Sequence, residues 1–91
     1  MPKLTPTEIK AALGAVPGWK RTGAAITRNF AFKNFPAAIR FVNDVAGLAE
    51  QAGHHPDIDI RWNKVALTLT THSDGGLTVK DFALAQRFDR L

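Results

Sequence analysis

With 91 residues the chain has the length of one domain around one core, residues 1–91, and it contains no cysteine, which excludes disulfides, thiolate metal sites and cysteine nucleophiles. Its net charge of +4 sits mainly in one half: residues 1–43 carry seven Lys and Arg (Lys3, Lys10, Lys20, Arg21, Arg28, Lys33, Arg40) against Glu8 alone. Cations scattered singly argue against direct nucleic-acid binding, which needs a basic run or stripe, and fit a solvated face able to attract an anionic ligand.

The start, Met1-Pro2-Lys3-Leu4-Thr5, lacks the apolar stretch of a signal peptide, and no later apolar run approaches the roughly 20 residues that span a bilayer. A cytoplasmic protein without membrane contact is expected. A domain this small buries only about 60–65 % of its unfolded surface, so it gains from a partner subunit, and a homodimer or homotetramer is the expectation.

In chain order, Thr5-Pro6-Thr7-Glu8 combines a capping threonine, a proline at the first helical position and a glutamate three residues after the cap, which predicts a helix start. Ile9, Leu13 and Val16 keep helical spacing, and Pro17-Gly18 stops it. Residues 19–32 read as two short strands around Gly23, the second alternating Ile26, Arg28, Phe30, Phe32 against Thr27, Asn29, Ala31. Asn34 caps a long central helix whose apolar stripe is Phe35, Ile39, Val42, Val45 or Ala46, and Ala49, ended by Gly53.

After His54-His55-Pro56, residues 57–62 alternate cleanly, Asn63-Lys64 makes a turn, and residues 65–71 alternate again as a second hairpin. Ser73-Asp74-Gly75-Gly76 is loop chemistry. Thr78-Val79-Lys80-Asp81 resembles another capping box and opens a last helix with Phe82, Ala85 and Phe88 on one face. The fold class is α+β, in the order α-β-β-α-β-β-α, with helices packed on one face of a four-stranded antiparallel sheet. The other face is left for solvent, substrate or a second subunit, and an outer strand offers an edge for pairing with its copy.

The chain has three histidines, and their placement carries the functional reading. His54 and His55 lie where the helix hands over to a strand, and the returning strand of the hairpin brings His72 back to their level. Asp81 follows the loop leaving His72, and Glu50 sits one helical turn before His54. Histidine, with an unperturbed pKa of about 6.5, gives or takes a proton near neutrality, and a neighbouring carboxylate fixes its tautomer, so the cluster suits general acid-base work.

Each residue also has a plainer role. His54 and His55 suit a polar helix-to-strand linker, His72 a surface position, Asp81 the third position of its helix, Glu50 a solvated helix face, and Trp62 the core. Zinc draws on the same side chains, yet no His-x-x-x-His or Cys pair is present, so neither metal nor cofactor is expected. Ser73 is the sole serine and Gly-x-Ser-x-Gly is absent, and Gly75-Gly76 makes no phosphate loop.

Glu50, three residues, His54-His55-Pro56, five residues, Trp62, nine residues, His72, eight residues, Asp81: this spacing resembles the signature of the pterin-4a-carbinolamine dehydratases. The element order is similar to that family across nearly the whole chain. The resemblance implies a hydro-lyase that dehydrates 4a-hydroxytetrahydropterin to quinonoid dihydropterin, recycling the pterin of an aromatic amino acid hydroxylase. It implies catalytic roles for His54, His55, His72 and Asp81, with His54 and His72 as the proton-transfer pair and His55 positioning substrate. It further implies substrate-side roles for Glu50, Pro56, Trp62 and Trp19. The alternative it carries is a non-enzymatic dimerisation cofactor that binds a transcriptional regulator, for which an exposed apolar helix face would speak.

Overall fold

The computed structural model describes residues 2–91; Met1, the first residue of the start read above, lies outside them. The elements are α1 (Pro6–Leu13), β1 (Lys20–Thr22), β2 (Ala25–Ala31), α2 (Phe35–Ala52), β3 (Asp57–Arg61), β4 (Lys64–Leu69) and α3 (Val79–Asp89), with a 3-10 turn over His72–Asp74. All strand pairs are antiparallel and the sheet order is β1-β2-β4-β3, so each hairpin contributes one inner and one outer strand. The α+β class and the element order expected from the sequence are those observed.

The helix starts follow their caps. The Thr5 hydroxyl accepts from the Glu8 N–H at 3.2 Å while the Glu8 carboxylate accepts from the Thr5 N–H at 2.9 Å, closing the capping box. The far end of α1 differs from expectation. The helix stops at Leu13, and the N–H groups of Gly14, Ala15 and Val16 each donate to the carbonyl three residues back. Pro17 disfavours helical backbone at the residue before it, and the tightened turn delivers Val16 wholly into the core.

The buried stripe of α2 keeps the expected Val45 and Ala49 but is rotated in its first half. Ala38, Phe41, Val45 and Ala49 are buried, whereas Phe35 is 48 % exposed and Ala46 is exposed. Both stripes have helical period and lie side by side on a wide apolar arc, and Phe41 decides which faces the sheet. Its ring packs 4.7 Å from Phe30 and 4.9 Å from Phe32. Burying an aromatic of this size contributes about 3 kcal/mol, and it is Phe41 that makes these ring contacts while Phe35 stays at the surface.

Register places Ile26 opposite Leu69 and Phe30 opposite Val65, so β2 and β4 turn one apolar face toward α2 and α3. The same register puts Thr27, Asn29, Ala31, Ala66 and Thr68 on the other face, where side chains are small or polar and none is fully buried. At the second hairpin Arg61 pairs with Lys64, which makes Trp62-Asn63 the turn in place of the expected Asn63-Lys64. Asn63 is pinned there: its side-chain amide donates to the Phe32 carbonyl at 2.8 Å and its own carbonyl accepts from the Phe32 N–H at 2.9 Å. Trp62 absorbs the reversal, with φ 52 in the left-handed region and 69 % exposure.

Candidate active site

The site is built where three chain segments meet at one end of the sheet. α2 ends on Gly53 in a left-handed conformation, φ 62, with the Gly53 N–H donating to Glu50 O at 3.2 Å and the His54 N–H to Ala49 O at 3.1 Å. This is the Schellman pattern, and it fixes His54 immediately after the left-handed glycine that ends the helix. The chain then extends through Pro56 into β3.

The second segment leaves β4. Thr71 and Gly76 exchange N–H···O bonds at 3.2 and 3.3 Å, closing a short loop that begins with His72 and reverses through Gly75, φ 76. The third segment is the start of α3, where Thr78 is the N-cap and Asp81 completes the capping box.

Asp81 joins all three. It is 0 % exposed, and its carboxylate accepts from the Thr71 hydroxyl at 2.9 Å and from the Thr78 N–H at 2.9 Å, while its other oxygen lies 2.5 Å from His54 Nε2. The Thr71 and Thr78 hydroxyls are themselves 3.0 Å apart. Burying a carboxylate costs several kcal/mol unless its lone pairs are filled, and here each oxygen meets a donor. An ionised carboxylate can only accept, so His54 donates through Nε2–H and Nδ1 is left as the nitrogen that can exchange a proton. A buried carboxylate holding an imidazole in one tautomer serves general acid-base chemistry.

The three histidines do not share one cavity. His54, with 12 % of its side chain exposed, borders a hollow of about 160 Å³ with Lys80 and Arg87. His72 lines a separate cleft of about 390 Å³ together with Asp57, Thr68 and Thr70. His55 points to solvent and pairs with Glu50 at 2.8 Å, both side chains well exposed at 65 and 80 %, so this contact holds the turn only weakly. A larger hollow of about 410 Å³ lies around Asn29, Asp59 and Arg61 on the open sheet face, and no histidine lines it.

Trp19 and Trp62 are not with the histidines. Trp19, expected on the substrate side, is 3 % exposed, packs against Phe30 and Phe88, and donates its indole N–H to Asp89 at 2.8 Å, which makes it a core residue at the far end of α3. Trp62 stands at the opposite end of β3 from His54, about 17 Å of strand away. Thr71 was not among the candidates, and the sequence held a signal for it. It continues the inward alternation of Leu67 and Leu69, and a hydroxyl at a core-facing position requires a buried partner. Among the described residues no group of three or more His, Cys, Asp or Glu side chains is placed to hold a metal ion, and no helix is long and apolar enough to cross a membrane.

Comparison with known proteins bears on this arrangement. A sequence model of the family described as "Pterin 4 alpha carbinolamine dehydratase" matches residues 2–91. A Chloroflexus aurantiacus protein named "Putative pterin-4-alpha-carbinolamine dehydratase" is 57 % identical over 91 residues, covering 100 % of this chain and 98 % of its own. A Roseiflexus protein of the same name is 56 % identical over 89 residues, covering 98 % and 96 %. Among solved structures, a "transcriptional coactivator/pterin dehydratase" from Brucella melitensis superposes with TM-score 0.93 at 39 % identity, over 97 % of this chain and 96 % of that one. A "pterin dehydratase-like protein" described as a RuBisCO assembly factor in the alpha-carboxysome superposes with TM-score 0.66 at 26 % identity, over 79 % and 83 %.

Proposed function

The chain belongs to the pterin-4-alpha-carbinolamine dehydratase family, and from that premise we propose that it is an active dehydratase, removing water from a 4a-hydroxytetrahydropterin to give quinonoid dihydropterin. The observation that carries this reading is the buried Asp81, whose carboxylate ties His54 directly, and His72 through its neighbour Thr71, to the start of α3. Expelling the 4a-hydroxyl needs a proton delivered to the departing oxygen and a proton taken from the adjacent ring nitrogen. His54 through Nδ1 and His72 from its cleft supply that acid-base pair; His55, exposed next to His54, positions the ring. Pro56 fixes the backbone between the paired histidines and β3. The product is the form of pterin that a reductase can return to an aromatic amino acid hydroxylase.

Separate cavities for His54 and His72 give the reading a structural demand: substrate must seat between them, or a second subunit must complete the cleft. Two features support an oligomer. β3 is an outer strand with every residue exposed, including Ile58 and Ile60 at 38 % each, and α2 leaves Phe35 and Ala46 open beside Ile39 and Val42. The open α2 face is the feature that would also serve the alternative, a non-enzymatic cofactor of a transcriptional regulator.

Stopped-flow absorbance of freshly generated 4a-hydroxytetrahydropterin in chelator-containing buffer separates the two. An active dehydratase accelerates water loss, and His54→Ala and His72→Ala each lower turnover by roughly 10²-fold or more while circular dichroism keeps the fold. A folded wild-type protein that gives no acceleration would move the assignment to the binding role.

A further inference from the structure

The fold gathers two of the cations that the sequence scatters. Lys3 and Arg21 line one hollow of about 190 Å³, together with Leu4, Pro6, Ile9 and Leu77, and no carboxylate is among its lining residues. Both side chains are placed by backbone contacts. The Leu4 N–H donates to Leu77 O at 2.8 Å, docking the N-terminal segment beside the strand-like stretch that follows Gly76. The Lys3 stem then crosses Gly76, where an added Cβ would stand only 2.8 Å from Lys3 Cδ. Opposite it, Arg21 Nε–H donates to Gly23 O at 2.9 Å, which orients the guanidinium and leaves its terminal N–H groups for a ligand.

This hollow and the His72 cleft share Ala24, Gly75 and Gly76 as a common wall. The wall carries no side chain longer than a methyl, and the space over Gly75 is open, since a Cβ built there meets nothing within 4 Å. A ring seated at His72 can therefore send a substituent across the wall to the two cations.

We propose that Lys3 and Arg21 form an anion subsite of the His72 cleft, so that the preferred substrate is a pterin whose side chain carries a phosphate monoester. The ring part of this inference rests on the dehydratase reading above; the anion part rests on the cavities alone. A dianionic phosphate matches a guanidinium fork and an ammonium better than a neutral polyol does. The contact is remote from the reacting bond and equally strong before and during dehydration, so it acts on KM and leaves kcat in place.

Two measurements test it separately from the chemistry. In a ¹H–¹⁵N titration with inorganic phosphate, the Gly75 and Gly76 amides and Arg21 Nε–H shift saturably in the wild type and not in Lys3→Met/Arg21→Gln; absence of a saturable wild-type shift overturns the subsite whatever the enzyme does. In turnover, kcat/KM for a C6-phosphorylated 4a-hydroxytetrahydropterin exceeds that for its unphosphorylated counterpart by about tenfold through KM, as expected of two partly solvated ion pairs. Raising the ionic strength shrinks the ratio, and Lys3→Met, which keeps the stem over Gly76, lowers it toward one. Equal kcat/KM for both substrates overturns the subsite and leaves the dehydratase standing, whereas phosphate binding without turnover of either substrate removes the dehydratase and leaves the subsite.

Discussion

Replacing Asp81 by asparagine is the most informative single change. The side chain keeps its shape, so packing is preserved, but one acceptor oxygen becomes an NH₂ donor. The Thr78 N–H cannot turn around, and it and the Thr71 hydroxyl claim the remaining oxygen at their present 2.9 Å positions. The NH₂ then faces His54 Nε2, 2.5 Å away in the native pair, and two donors oppose each other unless the imidazole moves its proton to Nδ1. The variant therefore loses a charge-assisted bond, about 2 kcal/mol, and inverts the His54 tautomer. For a domain of this size that corresponds to a Tm lower by about 8–16 °C. Thermal unfolding followed by circular dichroism gives the first number, and long-range ¹H–¹⁵N spectra of the His54 ring give the tautomer. An Asp81→Asn protein with native Tm and an unchanged Nε2–H tautomer would refute the account of Asp81 as the group that orients His54. Asp81→Ala is a poorer probe, because His54 and two buried donors, the Thr71 hydroxyl and the Thr78 N–H, lose their acceptor and the fold itself is at risk.

Gly53→Ala forces a Cβ into φ 62, costing about 1–2 kcal/mol although open space surrounds the site, and lowers Tm by about 5–15 °C; an unchanged Tm would show that the helix end can rearrange. Glu50→Gln weakens only the exposed His55 pair, and differential scanning calorimetry should find Tm within about 2 °C of wild type. Trp62→Asn replaces an exposed aromatic in the left-handed region by a residue that tolerates it, so Tm rises by about 4 °C in the same assay. A fall instead, strongest at high protein concentration in sedimentation velocity, would place the Trp62 ring in a subunit contact.

The sequence by itself determined the parts of this protein that depend on near neighbours. Capping chemistry at Thr5 and Thr78, the glycine stop at Gly53, and the alternation of Ile26 to Phe32 and of Val65 to Leu69 set the element order, because caps, turns and strand faces are decided within a few residues. The resemblance to the family was legible in the spacing of Glu50, His54-His55-Pro56, Trp62, His72 and Asp81 for the same reason: it is a pattern along the chain. Long-range packing decided the rest. Phe41 against Phe30 and Phe32 chose which stripe of α2 is buried, and pinning of Asn63 by Phe32 moved the second turn back onto Trp62. Trp19 was drawn away from the site by Asp89, 70 positions further on. Only the tertiary structure decided that β2 and β4 are the inner strands, that His54 and His72 open onto different cavities, and that one buried carboxylate holds their segments together. Those facts depend on which distant surfaces exclude water from one another, and local residue preferences do not encode that choice.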